Sequence, residues 1–364
     1  MPPTTTTGFN DPTAQRLEAI ATGAEPEVVV PLLADALHDP RWTRCDVALI
    51  SGGKSNLTYR VACDAGEVVL RRPPLGHILP TAHDMVREHR VLSALEGTAV
   101  PVPRVLHLGG ADSPLGAPFY VMDRVVGHVC RNALPAGYAE TPERRAAIGV
   151  ALVDVLAGLH TVDPAEVGLE DFGRPAGFME RQLRRWSKQW EASKAHELPA
   201  LDALRDGLVR TLPPQRAEAI VHGDYRLDNT VLHPTAPGRI VAVLDWEMST
   251  LGDPFTDLGA LLAFWSEEAD DAVLAAARIV APVTAAEGFP SRAEVIERYA
   301  RATGFDVSDA AWYQGFAFFK LAVVCQGIVA RAAGGAMVGS GFDDAQRLVA
   351  PLVDAGRHLL GSRA

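Results

Sequence analysis

The sequence predicts an α+β fold built in two unequal lobes, and two observations point to it. Between residues 47 and 126 the apolar residues fall into short strand-like runs interrupted by one helix. Beyond Gly127 the chain becomes mostly helical, and its only clear strands there flank a group of acidic residues. A small sheet lobe joined near residues 122–127 to a helical lobe satisfies both.

Taken in order, residues up to about Asn10 carry no apolar pattern, and 27–37 place Val28, Leu32, Leu33 and Ala36 at helical spacing. Strands are expected over 47–51, 57–63, 67–71, 103–108 and 119–125. A helix over 82–95 interrupts them, with Met85, His89, Leu92 and Leu95 along it. Helices over 144–160, 177–191 and 201–212 lead to strands at 220–222, 230–233 and 240–245. Further helices follow over 257–266, 270–280, 292–303, 309–333 and 342–360. The domains expected are a tail and helix over 1–40, a sheet lobe over 41–126, and a helical lobe over 127–364.

Composition narrows the function. With 364 residues, 48% hydrophobic and 22% charged, the chain can bury a substantial core. A net charge of -11 opposes non-specific nucleic-acid binding, since a polyanion is repelled. The start lacks the basic and apolar regions of a secretory signal. The apolar run 316–330 is broken by Lys320 and Gln326 and is expected to fall short of a bilayer span. The four cysteines (Cys45, Cys63, Cys130 and Cys325) show no metal spacing and read as small hydrophobes in a reducing compartment. A cytoplasmic protein with no nucleic-acid or membrane partner is expected, and a homodimer is compatible with this.

The chemistry concentrates in His222-Gly223-Asp224-Tyr225-Arg226-Leu227-Asp228-Asn229 and in Val243-Leu244-Asp245-Trp246-Glu247. Phosphoryl transfer requires positioned charge more than covalent help. An Asp in a turn, here Asp224, takes or orients the proton of an attacking hydroxyl. An Asn five positions later, Asn229, offers a neutral oxygen to Mg2+, and Asp245 at a strand end offers the anionic ligand. Upstream, Ser51-Gly52-Gly53-Lys54-Ser55-Asn56 would bring backbone N–H groups to phosphates, with Ser55 and Asn56 adding polar contacts. A Walker A loop is excluded, because that motif needs Gly where Ala48 stands and a helix afterwards.

These motifs resemble the aminoglycoside/choline phosphotransferase superfamily, small-molecule kinases with a protein-kinase-like bilobal fold: a small antiparallel-sheet N-lobe and a mainly helical C-lobe. Protein kinases carry H-R-D-x-x-x-x-N and D-F-G at the equivalent places. In detail the chain is similar to the kinase-like domains fused ahead of acyl-CoA dehydrogenases and to their stand-alone bacterial relatives. The stretches that match are Gly53 to Asn56, Val69-Leu70-Arg71-Arg72-Pro73-Pro74, Phe119-Tyr120-Val121-Met122, HGDYRLDN and Gly252-Asp253-Pro254-x-x-Asp257-Leu258. The resemblance covers nearly the whole chain, and no dehydrogenase domain is expected in what remains.

The resemblance implies ATP, or GTP, as phosphate donor and Mg2+ as cofactor. It implies that Arg71 stands where relatives carry a phosphate-anchoring lysine, with Glu88 as its orienting partner. Arg72 is the alternative, since one residue of strand register decides which side chain faces the cleft. Met122 and Asp123 would meet the adenine through their backbone. His222 would pack beneath the loop, and Asp253 and Asp257 would brace it. The acceptor implied is a hydroxyl on a small molecule: aminoglycosides, amino alcohols, macrolides, sugars and hydroxyacyl thioesters all occur among relatives. A catalytically silent nucleotide-binding regulator is the rival, because Arg71 departs from the family's lysine. Trp186, Trp190, Trp265, Trp312 and Tyr313 are candidates for the pocket lining or the core, and Lys320, Gln326 and Arg331 for an anionic substrate or for water.

Overall fold

The computed structural model describes residues 17–18, 23–50, 56–75, 83–194, 197–333 and 342–361. The first lobe is an antiparallel sheet of β1 (Leu17–Glu18), β2 (Asp46–Ile50), β3 (Leu57–Cys63), β4 (Gly66–Arg72), β5 (Val105–Gly109) and β6 (Phe119–Asp123). Their spatial order is β1-β2-β3-β4-β6-β5. Side chains alternate faces along a strand, and each face has its own partner. Helix α1 (Pro26–Ala36) covers one face, where Val29 and Leu33 meet Tyr59, Val61, Val68, Leu70, Phe119 and Val121. The other face presents Val69, Tyr120 and Met122 to α2 (Met85–Leu95) and to the core shared with the second lobe.

Helix α2 starts three residues later than 82–95 suggests, because Asp84 caps it by accepting the Arg87 N–H at 3.0 Å. Residues 81 and 82 lie outside the described residues. Arg87 of α2 also reaches the Ser249 carbonyl at 3.1 Å, tying the lobes together.

The second lobe holds α3 (Pro142–His160), α4 (Phe178–Ser193), α5 (Pro199–Arg210), α6 (Phe255–Phe264), α7 (Ala272–Ala276), α8 (Arg292–Thr303), α9 (Ala310–Ala333) and α10 (Phe342–Gly361). Two antiparallel pairs are set among them. In the first, β7 (Ala219–Val221) pairs with β10 (Thr250–Gly252). In the second, β8 (Thr230–Leu232) pairs with β9 (Ile240–Val243). Strand β10 is not apparent in the sequence; three residues are too few for a period, and only pairing with β7 defines it. The expected helix over 270–280 shrinks to α7, where Asp271 accepts the Val273 and Leu274 N–H groups. At the lobe junction a side chain on Gly127 would meet the Leu232 carbonyl oxygen at 2.3 Å, so only glycine lets the two strands close there.

Helix α9 corrects the expectation about its apolar run. It spans 24 residues, and its 310–332 portion is long and apolar enough to cross a bilayer by length and composition alone. The apolar character is explained by packing. Trp312, Tyr313, Phe318, Phe319, Ala322 and Val323 are buried in the core, where α9 packs on α10, α6 and α4.

Candidate active site

The loop after β7 is held from below by one carboxylate. Asp257, in the first turn of α6 and fully buried, accepts the His222 N–H at 2.6 Å and the Gly223 N–H at 2.8 Å. His160 of α3 donates to it from Nε2 at 3.2 Å and is itself held at Nδ1 by the Tyr299 hydroxyl at 2.7 Å. Burial would raise the Asp257 pKa, but the His160 hydrogen bond and the His222 amide hold it below the ordinary aspartate value. Gly223 sits at φ 89°, and a Cβ there would meet Met248 at 2.7 Å, which explains the glycine of the motif. His222 lies beneath the loop. Its Nδ1 accepts from the Asp224 amide at 3.2 Å while Nε2 reaches the Leu244 carbonyl at 2.9 Å, which fixes its tautomer. Asp253 is buried as well, accepting from the Tyr313 hydroxyl at 2.6 Å and the Phe255 amide at 3.1 Å; burial pushes it up to about 6.

Replacing Asp257 with Asn leaves two buried backbone donors facing an amide. The expected loss is about 3 kcal/mol of stability, readable as a lowered unfolding midpoint in urea. The folded-state pKa is depressed, so the Asp257 contribution is present above about pH 4 and disappears as acidification protonates the folded carboxyl. A variant with an unchanged midpoint would detach Asp257 from the support of the loop.

Above this base, Asp224 Oδ2 accepts from Asn229 Nδ2 at 2.9 Å and pairs with Arg226 Nε at 3.3 Å. Asn229 Nδ2 also reaches the Asp224 carbonyl at 2.8 Å, so its amide oxygen points away from both. The register of the hairpin, Thr230 opposite Val243, continues one step as Leu244 N donates to Asn229 O at 2.8 Å, and this sets Asn229 opposite Leu244, the residue before Asp245. Asp245 adopts φ 68°, a left-handed conformation that few non-glycine residues occupy and that turns its carboxylate out of the strand path.

Across the lobe interface, Arg71 Nη2 donates to Asp245 Oδ1 at 2.8 Å, and its Nε lies 2.9 Å from Glu88 Oε2. That Nε–H is buried yet not aimed at a hydrogen-bond acceptor among the described residues. Glu88 is buried, accepting Asn56 Nδ2 at 2.8 Å on Oε1 and the Tyr120 hydroxyl at 3.0 Å on Oε2. Burial pushes its carboxyl up, against the pull of Arg71 and Tyr120. Asn56 also donates to Glu247 Oε2 at 3.1 Å and meets His83 through Oδ1 at 2.8 Å, while Arg71 lies 3.7 Å from Glu247. Arg72, the alternative, points to the opposite sheet face, where its Nη1 donates to the Gly23 carbonyl at 2.5 Å under α1.

Met122 closes the cleft side of β6. Asp123 gives its amide to the Arg104 carbonyl at 2.9 Å and its carboxylate to Arg104 at 3.0 Å, apart from the Arg71 cluster. Ser55 and Lys54 fall outside the described residues. The five aromatic candidates Trp186, Trp190, Trp265, Trp312 and Tyr313 are all buried. A narrow cleft of about 30 Å³, lined by Arg226, Asp228, Leu261, Phe264 and Trp265 among others, adjoins the loop. Sequence reasoning gave no role to Arg226 and left Glu247 unplaced. The signal for Arg226 was its position inside the motif, two residues after Asp224.

Fold and site together define a kinase-like protein with a sheet lobe, a helical lobe and an Asp-Asn-Asp group at their junction. The chain belongs to the phosphotransferase enzyme family (APH), whose family model matches residues 46–312. Acyl-CoA dehydrogenase family member 11 of Rattus norvegicus is 38% identical over 284 residues, or 77% of this chain but only 35% of that protein. The chain thus spans about a third of that relative's length. A solved structure from Ralstonia eutropha JMP134, described as a candidate aminoglycoside phosphotransferase, is 32% identical, with a TM-score of 0.77 over 95% of this chain and 99% of that one. A thermostable mutant of aminoglycoside phosphotransferase APH(4)-Ia is 14% identical, with a TM-score of 0.55 over 92% and 99% of the two chains, and shows the shared fold.

Proposed function

We propose that this small-molecule phosphotransferase moves the γ-phosphate of ATP to a hydroxyl of its acceptor with the help of Mg2+. GTP is the alternative donor. The observation that carries this reading is the Arg71–Asp245 contact, which joins a phosphate-binding guanidinium on one lobe to the Asp224/Asn229/Asp245 group on the other. Residues 41–126 would serve as the nucleotide lobe, with Met122 and Asp123 at the adenine, and 127–364 as the catalytic and acceptor lobe, behind a 1–40 tail and helix. A cytoplasmic setting fits the four free thiols.

In this mechanism Arg71, oriented by Glu88 at its Nε, holds the α/β-phosphates through its guanidinium. Asp245 and the Asn229 amide oxygen form a hard-oxygen donor pair that suits Mg2+, and neither Asp245 Oδ2 nor Asn229 Oδ1 takes a hydrogen bond among the described residues. A bound Mg2+ would neutralise charge on the β- and γ-phosphates. Asp224 accepts the proton of the acceptor hydroxyl as the hydroxyl oxygen bonds to the γ-phosphorus. The bond to the β–γ bridging oxygen breaks, and its electron pair leaves with ADP. Asp224 then returns the proton to solvent.

The APH(4)-Ia neighbour was solved with ADP and hygromycin B, which supports a nucleotide and an antibiotic-type acceptor. The dehydrogenase relatives support a hydroxyacyl-type acceptor instead. The test is ADP release over a panel of hydroxylated metabolites, hydroxyacyl thioesters and antibiotics, with and without EDTA. Turnover that needs both metal and acceptor is expected. Mg-ATP binding without ADP release on any acceptor would favour the catalytically silent regulator, the reading that the arginine at position 71 supports.

Arg71 and Arg72 give a paired test. Arg71→Ala is expected to raise the KM for ATP by about tenfold or more, while Arg71→Lys keeps the charge and measurable activity. Arg72→Ala strands the Gly23 carbonyl in the core of the sheet lobe, so it should lower the melting temperature and leave the ATP KM in place. Should Arg72→Ala be the change that weakens ATP, the phosphate anchor lies on the other sheet face.

A further inference from the structure

Lys320 belongs to none of the motifs above. It interrupts the apolar α9, a helix that buries much of its length in the core, and its Nζ donates to the Gly223 carbonyl at 3.1 Å, one residue before Asp224. The ammonium stands 5.7 Å over the Trp186 ring. A lysine ammonium has three donors. Among the described residues this one makes a single hydrogen bond and no ion pair, and the side chain is only partly buried.

Other cations gather at the same place. Arg226 lies over Phe264 at 4.7 Å while pairing with Asp224 at 3.3 Å and with Asp228 at 3.1 Å, and the exposed Arg185 lies over Trp186 at 5.6 Å. Among the charges that act on Lys320 are Asp224, Asp257, Arg185 and Arg226. Burial pulls its pKa below the ordinary lysine value, Asp224 and Asp257 favour its charge, and the two guanidiniums oppose it. An arriving anion would take up the donors that Lys320 leaves unused, whereas a polycation would meet an ammonium and a guanidinium of its own sign.

We infer that Lys320, with Arg226 beside it, forms an anion subsite next to Asp224, so that the preferred acceptor is an alcohol that also carries a carboxylate or a phosphate. The subsite presupposes the phosphotransferase reading above and adds the charge of the acceptor to it. Lys320 contributes a charge-assisted hydrogen bond to the anionic group, and the Gly223 contact holds the ammonium in place for it.

The test is ADP release from Mg-ATP with matched acceptors: short hydroxy acids beside their amides, glycerol 3-phosphate beside glycerol, and hygromycin B as a polycation. The wild-type chain is expected to favour the anionic member of a pair by about 30-fold in kcat/KM, a comparison that needs no variant. The carboxylate and phosphate pairs tell which anion is meant. Lys320→Met should collapse the preference through the KM of the alcohol, with the ATP KM moving little, and Lys320→Arg should restore most of it. Equal or better use of the uncharged or polycationic alcohols overturns the subsite and leaves the phosphotransferase reading intact. The subsite also falls if Lys320→Met lowers kcat equally on both members of a pair, as expected of a lysine that only props the loop. Absence of ADP release with every alcohol, with Mg-ATP binding intact, removes the phosphotransferase reading and the subsite with it.

Discussion

Asp224→Asn is expected to lower turnover by at least about three orders of magnitude while leaving the fold and the ATP affinity close to those of the parent chain. The exchange keeps shape, and Asn can still pair with Asn229 through its amide oxygen, at 2.9 Å in the parent. What disappears is the charged oxygen that takes the hydroxyl proton, together with the anion that holds Arg226 at 3.3 Å. The loop itself should persist, because its backbone hangs on Asp257 and His222 rather than on the Asp224 side chain. Single-turnover ADP formation measures the loss, and calorimetry with Mg-ATP checks that binding survives. Near-parental turnover would remove Asp224 from the chemistry.

Asp245→Ala is expected to abolish Mg-dependent nucleotide binding. Asp245 follows Leu244, which pairs with Asn229, and is the anionic member of the proposed donor pair; the neutral amide oxygen alone is a weak partner for a hard cation. The variant also deprives Arg71 of its 2.8 Å contact across the lobes, leaving that guanidinium to Glu88 and Glu247. Alanine tolerates the left-handed backbone at φ 68° less well than aspartate, with a local strain of about 1 kcal/mol, so Asp245→Asn is the matched control. In both variants titration with ATP should lose its sensitivity to Mg2+ and EDTA. Mg-ATP affinity unchanged in both would move the metal's anionic ligand elsewhere, with Glu247 the nearest acidic candidate.

Much of the framework could be read from the chain because it is local. Alternation in β4 required that Arg71 and Arg72 face opposite sides, and the five-residue interval from Asp224 to Asn229 suits a single turn that folds back on itself. Both are properties of short range, set by backbone geometry, and so they show in the sequence. Which arginine meets the cleft was decided by packing. With α1 on the Val68/Leu70 face, Arg72 is trapped with Gly23, and Arg71 is left beside Glu88 and Asp245. Strand β10 exists only because β7 is there to pair with it. The brace from Tyr299 through His160 to Asp257, and the reach of Lys320 to Gly223, join residues separated by 139, 97 and 97 positions. No local period or spacing encodes such meetings. They arise when helices pack, because a buried carboxylate or ammonium must find its partners wherever the core brings them.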